Sequence, residues 1–516
     1  MKRNLWTLIV FVLVASLVFT GCTSSSEEET TAGNEETTTT VEKEPVREDL
    51  NIAIDSVLTN LDPTAYFGPQ QLTVHKSIFE SLINLDSEFN PIPGIAETWE
   101  VSADGLTHTF KLFKDITFSN GEALTADDVV YTVERFYKSP MGGYYSIFLG
   151  TVAKVDDYTV MFTTPAVYEG IYSALSNLSI LPQEYMLSIN EDLSTTAIGS
   201  GPYMVKEFVS GSNVVLEKNP TYHGTPANIQ NVNIKFIAEA STRVISLESG
   251  EVDLIIAAPV EDRDYLLEQE NLVLDEVPAV ARFILAMNQY GTLSNPKIRE
   301  AIAAGIDNNE IFIAMTNGAG ILNKGMLAAS GNKDYANLVD MTTYDVERAK
   351  QLISETNYNP EKDIITLSVL DPISGKIAEI VQGQLAKVNI KIQIEMIEPG
   401  TYYQRIAEKK IDMAISLGGS SDFGAQEDIG SLTTAQDPMD RFMDSAKIDE
   451  LYSKLVITSD LEQRKQIVKE AYEEIKLLFA AVPLYSPNTN VVYHKDLKGV
   501  QVSATNVYQI GNFSWE

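Results

Sequence analysis

The sequence predicts an α/β protein of more than one domain, and three observations carry that prediction. From Leu50 onward, turn signals, short alternating strands and amphipathic helices mix throughout, which argues for α/β layering against a sandwich or a bundle. With 516 residues, 44% of them apolar, the chain is able to bury a large core, and this length predicts at least two domains. No internal repeat interrupts the pattern.

The elements follow in chain order. Lys2 and Arg3 precede an apolar run from Leu5 to Val18, broken only by Thr7 and Ser16, which reads as a signal peptide over residues 1–21. The run is shorter than the roughly 20 apolar residues a spanning helix prefers. Phe19-Thr20-Gly21-Cys22 resembles a bacterial lipobox, which implies that the Cys22 thiol is acylated and becomes the mature N-terminus. Acyl chains contribute about 0.8 kcal/mol per buried CH₂, and two or more hold a protein on a bilayer far better than one. Cys22 is the only cysteine, so the chain has no intramolecular disulfide, thiolate zinc cluster or second thiol for redox work. Residues 23–40 hold ten Ser or Thr and five Glu without a basic or aromatic residue, too little apolar surface to offset ordering entropy. Residues 22–45 are therefore expected to be a lipidated cysteine and its disordered tether.

Within the body, Ser102-Ala-Asp-Gly105 reads as a turn into a strand where Leu106, His108, Phe110 and Leu112 alternate with Thr107, Thr109 and Lys111. Thr125-Ala-Asp-Asp128 opens a helix with a capping box, and Val129, Val130, Val133, Phe136 and Tyr137 fall on one face. Gly201-Pro202 turns into a strand at Tyr203, and Gly250 stops a helix before a buried strand from Leu254 to Ala258. Asn295-Pro296 starts a helix carrying Ile298, Ala301, Ile302 and Ile306. Ser374 is expected to cap a helix through Ile377, Ile380, Val381 and Leu385, after which Ile390, Ile392, Ile394 and Met396 alternate as a strand. Ser459 and Glu462 form a second capping box before a long helix that Pro483 is expected to end.

Charge and motifs exclude several functions. The net charge is −34, and −36 once residues 1–21 with their two positive charges are removed, so nucleic acid is not an expected partner. His75, His108, His223 and His494 include no pair at metal-ligand spacing. Neither a Gly-x-Ser-x-Gly elbow, nor His-Glu-x-x-His, nor a phosphate loop occurs. Asp127-Asp128 and Asp156-Asp157 are neighbours in sequence whose side chains do not converge, as helix caps and turns require. The expectation is a non-enzyme without a cofactor or resident metal.

Several phrases, taken in order, resemble the bacterial extracellular solute-binding protein family 5, the oligopeptide-, dipeptide- and nickel-type substrate-binding lipoproteins of ABC transporters. They are Asn60-Leu-Asp-Pro63, Phe79-Glu-Ser-Leu82, Pro93-Gly-Ile-Ala-Glu-Thr-Trp99, Phe118-Ser-Asn-Gly121, Gly199-Ser-Gly-Pro-Tyr203, Leu247-Glu-Ser-Gly-Glu-Val-Asp253 and Ile298-Arg-Glu-Ala-Ile302. The resemblance covers about residues 50 to 485. It implies a type II periplasmic-binding-protein fold whose two lobes enclose a ligand and are joined by crossovers near Val277 to Asn288 and Ala481 to Ser486. Lobe I would take residues 46–75, 195–280 and 485–516, with an extra subdomain at 76–194, and lobe II residues 281–484. The implied function is capture of oligopeptides or a related small solute by lobe closure and delivery to permease subunits with their ATPases. The protein would be an exported monomer on the outer face of the cytoplasmic membrane. A chelated metal, an oligosaccharide or a sensory role is the alternative, and a surface hydrolase a further one.

In peptide-binding relatives, an Asp in a segment reading roughly Gly-aromatic-x-Gly-Asp pairs with the ligand ammonium. Leu417-Gly-Gly-Ser-Ser-Asp-Phe423 matches it, which makes Asp422, with Ser421 and Phe423, the candidate site; a solvated loop Asp is the other reading. A carboxylate in a closed, low-dielectric cleft selects a free amine. Arg405 lies where some relatives have a carboxylate-reaching Arg, or is a surface Arg on an amphipathic helix. Tyr66 and Phe67 either stack on a ligand or pack in the core.

Overall fold

The computed structural model describes residues 47–64, 68–331, 333–419, 424–433, 442 and 444–516. Cys22, the tether, Tyr66, Phe67, Ser421, Asp422 and Phe423 lie outside the described residues.

One twelve-stranded sheet runs through the molecule. Its strand order is Ile392–Met396, Ile365–Val369, Met413–Gly419, Ala281–Met287, Ala481–His494, Leu254–Ile256, Asp49–Ile54, Asn231–Phe236, Asn213–Lys218 and Tyr203–Val209. The strands Leu272–Pro278 and Gly320–Leu322 also pair with Ala481–His494. Ala481–His494 thus joins the two halves of the sheet: its first residues pair antiparallel with Phe283 to Ala286, its later ones with Leu254 to Ile256 and with Leu272–Pro278. Pairing is parallel where Asp49–Ile54 meets Asn231–Phe236 and Leu254–Ile256, and where Ile365–Val369 meets Ile392–Met396 and Met413–Gly419.

Apolar side chains gather in separate cores. Ile52, Val232, Ile234 and Val491 centre one, and Leu285, Ile302, Leu367 and Ile377 another. A third, with Ile284, Ala414, Ile429 and Tyr472, lies on the opposite face of the strands Ala281–Met287 and Met413–Gly419. Residues 96–163 contribute a separate four-stranded sheet, whose core includes Phe110, Val133 and Phe162.

Local chemistry explains most element boundaries. Thr125 and Asp128 form the reciprocal capping box of Ala126–Phe136, burying Val129, Val133 and Phe136. Asn295 accepts from the Lys297 amide and caps Pro296–Gly305. The strand Thr107–Leu112 buries His108, Phe110 and Leu112 and turns Thr109 and Lys111 outward. Gly250 adopts φ 73°, the left-handed conformation that a glycine takes without penalty, and the buried strand Leu254–Ile256 follows.

Three expectations need correction. The helix cap is Asp371, whose carboxylate accepts from the Ser374 amide at 2.9 Å, so the helix Pro372–Ala386 begins before Ser374. Likewise Asp460, not Ser459, caps Leu461–Leu478 by accepting from the Gln463 amide. In both places an acidic side chain was available and takes the orphan amide. Pro483 does not end that helix. Phe479 closes it in the left-handed conformation at φ 51°, and Pro483 sits inside Ala481–His494 opposite Ile284.

Candidate functional site

A cavity of about 1310 Å³ opens beside the central strands. That exceeds the roughly 300–1,000 Å³ of a typical small-molecule pocket. Its lining comes from distant stretches of sequence, including Asp55, Leu72, Phe89, Ala258, Ile373 and Leu417.

Backbone pairing shapes the floor. Between the strands Leu272–Pro278 and Ala281–Met287 the chain passes through Ala279 and Val280, whose amides donate to the Pro487 and Ala504 carbonyls at 2.8 and 3.0 Å. Phe283 and Tyr485, opposed across the register, bring their rings to 5.1 Å and give the cavity an aromatic corner. Gly320 lets the strand Gly320–Leu322 approach at φ 139°; a Cβ there would stand 2.4 Å from the Ser486 carbonyl oxygen.

Buried polar groups hold one wall. Arg243, 3% exposed, donates to the carbonyls of Ile237, Ala238 and Ala257 at 2.9, 3.0 and 2.6 Å, and burial pulls its guanidinium below the usual range. Those bonds support Ala257 in a left-handed conformation, φ 59°, where the wall turns toward Pro259. Asn490 completes the turn by accepting from the Ala258 amide at 2.7 Å and donating to its carbonyl at 3.0 Å.

The charged lining is balanced. Asp55, Asp86 and Glu261 face the cavity with Lys76, Arg243 and Lys376, although the whole chain carries −34. Glu261, on the turn Val260–Asp262, and Lys376, on the helix Pro372–Ala386, approach to 3.4 Å, and both are well exposed. Hydrogen bonds from Asn90 hold the Asp86 carboxyl below its ordinary range, while the Lys76 ammonium donates to the Ser176 carbonyl at 2.6 Å.

The strand Met413–Gly419 gives the cavity an open edge. One side pairs along its length with Ala281–Met287. Among the described residues, its other side pairs with Ile365–Val369 only at Met413 and Ala414. Ile415 to Gly419 therefore run on past that neighbour, and Leu417 projects into the cavity, 53% exposed. A free strand edge beside a cleft is suited to hydrogen-bonding an extended main chain.

Arg405 is on the helix Pro399–Ala407, where its guanidinium donates to both oxygens of Glu395 at 2.9 and 3.0 Å, and it does not line the cavity. Sequence reasoning missed Arg243, Asn490, Lys376 and Glu261. Their only sequence signal was polar residue type, since the partners of Arg243 and Asn490 are backbone groups brought close by the fold. Among the described residues, no group of three or more His, Cys, Asp or Glu is placed to hold a metal ion.

Comparison with known proteins places this geometry among relatives. Residues 90–439 match the family model described as bacterial extracellular solute-binding proteins, family 5 Middle. The dipeptide-binding protein of Escherichia coli (strain K12) is 26% identical, across 82% of this chain and 86% of the relative. Among solved structures, the ABC transporter substrate binding protein CtaP from Listeria monocytogenes superposes with a TM-score of 0.80 at 20% identity, covering 91% of this chain and all of the other. DppA from Helicobacter pylori, solved with the peptide STSA, superposes at 0.78 with 23% identity over 91% of this chain and 98% of its own. These likenesses establish the two-lobed periplasmic-binding-protein fold.

Proposed function

Because the chain belongs to the bacterial extracellular solute-binding proteins, family 5, we propose that it captures oligopeptides between its lobes and hands them to the permease of an ABC importer. The observation that carries the peptide reading is the edge of Ile415 to Gly419, unpaired among the described residues, beside a cavity of about 1310 Å³. Main-chain bonding at a strand edge is tolerant of sequence, and a large cavity accommodates varied side chains. The balanced lining charge suits a zwitterion.

In this reading Asp422, flanked by Ser421 and Phe423, takes the ligand ammonium, and Tyr66 stacks on the ligand. Arg405 reaches a ligand carboxylate through the guanidinium whose Nη1 is shared with both oxygens of Glu395. The hinge lies at Pro278 to Ala281 and Tyr485 to Asn488, where strands of the two lobes change partners. Residues 46–75, 195–280 and 485–516 form lobe I with its subdomain at 76–194, and 281–484 form lobe II. The protein is exported, acylated at Cys22, anchored to the membrane and monomeric, and it performs no covalent chemistry on its ligand.

Native mass spectrometry of the purified protein, followed by calorimetry with di- to pentapeptides, tests the proposal. Carried-over peptides that rebind after refolding are the expected result. A carried-over chelate or sugar, with no heat from any peptide, would replace the peptide reading.

A further inference from the structure

Behind the cavity wall lies a charged cluster that ligand contact does not explain. Side chains on a strand alternate between faces. On Ala281–Met287, Ala281 and Phe283 line the cavity, while Arg282 between them points the opposite way. Arg282 is 3% exposed, and its guanidinium donates to Asp428 on the helix Gly424–Thr433. Tyr472, on the helix Leu461–Leu478, donates to the other Asp428 oxygen at 3.2 Å. All three side chains are buried, and burial pulls the guanidinium down to about 10.

The same guanidinium meets the neighbouring strand. Gly418 stands opposite Arg282 in register, and a Cβ on it would lie 2.6 Å from Nη1. One residue earlier, Leu417 faces the cavity. Arg282 therefore touches the back of the open strand edge and grips the helix that resumes at Gly424. The strand's last described residue and that helix are only four residues apart in sequence.

A buried ion pair is weak evidence of stabilisation, because desolvation offsets much of the attraction and apolar replacements are often as stable. A role in placement accounts better for keeping it. We propose that Arg282, Asp428 and Tyr472 are positioning residues: they fix the strands Ala281–Met287 and Met413–Gly419 in the placement that gives the cavity its ligand-binding edge. The effect on affinity rests on the function proposed above; the effect on strand placement does not.

The test compares the full chain with a triple variant, Arg282→Met, Asp428→Leu and Tyr472→Phe, which makes the cluster apolar without leaving one charge alone. Expected are a thermal midpoint within a few degrees of wild type and amide exchange at least about tenfold faster in 281–287 and 413–419. The Kd for tetra-alanine should rise at least about tenfold. A folded triple variant with unchanged exchange overturns the proposal. Should the triple variant fail to fold, Arg282→Lys decides: faster exchange confined to those two strands supports positioning, and faster exchange throughout the chain, tracking a lower midpoint, overturns it. If the wild type does not bind tetra-alanine, the peptide reading loses support, and the exchange measurement still judges the positioning residues.

Discussion

Glu169 Oε1 lies 2.8 Å from Arg464 Nε and accepts the Tyr335 hydroxyl at 2.6 Å. Beside it, the Val167 amide donates to the Val456 carbonyl at 2.9 Å. Glu169 belongs to the stretch that packs with the four-stranded sheet, while Arg464 and Tyr335 pack with the core around Tyr472. The Arg464 side chain is 2% exposed and otherwise donates to neutral oxygens, the Leu455 and Thr458 carbonyls and Gln426 Oε1, so Glu169 is the anion that meets its charge among the described residues. Such a contact favours the arrangement in which the two elements meet.

Glu169→Ala removes that carboxylate and leaves a buried guanidinium poorly compensated. Removing one partner of a buried pair costs about 3–5 kcal/mol, and the partial exposure of Glu169 reduces this to about 1–3 kcal/mol. If closure bears the loss, ligand affinity falls about 5- to 150-fold, mostly through faster dissociation. Stopped-flow dissociation and small-angle scattering check it: a normal off-rate with an unchanged radius of gyration would separate this contact from closure.

His75 sets an acid limit on stability. It is wholly buried, neither ring nitrogen has a partner among the described residues, and burial lowers its pKa from 6.5 to about 4. The unfolded chain binds this proton first, so the contribution is present above pH 6.5 and is lost as pH falls toward 4, by about 3 kcal/mol in all. His75→Leu should flatten the fall of the urea midpoint between pH 7 and pH 4.5. His223 runs the other way. Its hydrogen bond to Glu80 at 2.8 Å raises its pKa, so its contribution is complete below pH 6.5 and lost as pH rises through the raised value. His223→Gln should remove that alkaline loss.

Gly320→Ala should destabilise the protein by about 2–3 kcal/mol, because alanine is strained at φ 139° and its methyl meets the Ser486 carbonyl. Ile321, next along that strand, lines the cavity, so peptide affinity should fall with the thermal midpoint. A midpoint equal to wild type would mean that the close approach is easily relaxed.

Asp422→Ala should weaken binding of a free-amine peptide by about 2–5 kcal/mol, or roughly 30-fold to several thousand-fold in Kd. Acetylating the peptide should reproduce most of that loss in the wild type and add little in the variant. Calorimetry on the four combinations is decisive: an acetylated peptide that binds the wild type normally assigns the ammonium no carboxylate here.

Local chemistry was the legible part of the sequence. Thr125 with Asp128, Asn295 with Pro296, and the alternation of Leu106 to Leu112 each specify an element within a few residues, and the fold keeps all three. Sequence leaves a cap ambiguous where several candidates lie close, as Ser459 beside Asp460 and Ser374 three residues after Asp371, since each is able to accept an amide and only backbone geometry chooses. The cavity was mostly illegible. Arg282 meets Asp428 across 146 residues of sequence, and Asn490 meets Ala258 across 232. An arginine that will be buried is indistinguishable in sequence from one on a surface. The segment around Asp422 is read only through resemblance, and it lies outside the described residues.

The strand Ala481–His494 has a consequence for biogenesis. It enters the chain late, yet Leu254–Ile256, Leu272–Pro278, Ala281–Met287 and Gly320–Leu322 all wait for it as a hydrogen-bonding neighbour. An emerging polypeptide is consequently unable to complete either part of the large sheet before residues 481–494 become available. Non-local pairing of this kind is slow to form. A version ending at residue 480 lacks the neighbour that these four strands share, and should be protease-sensitive on both sides of the missing strand while the separate sheet of residues 96–163 stays protected.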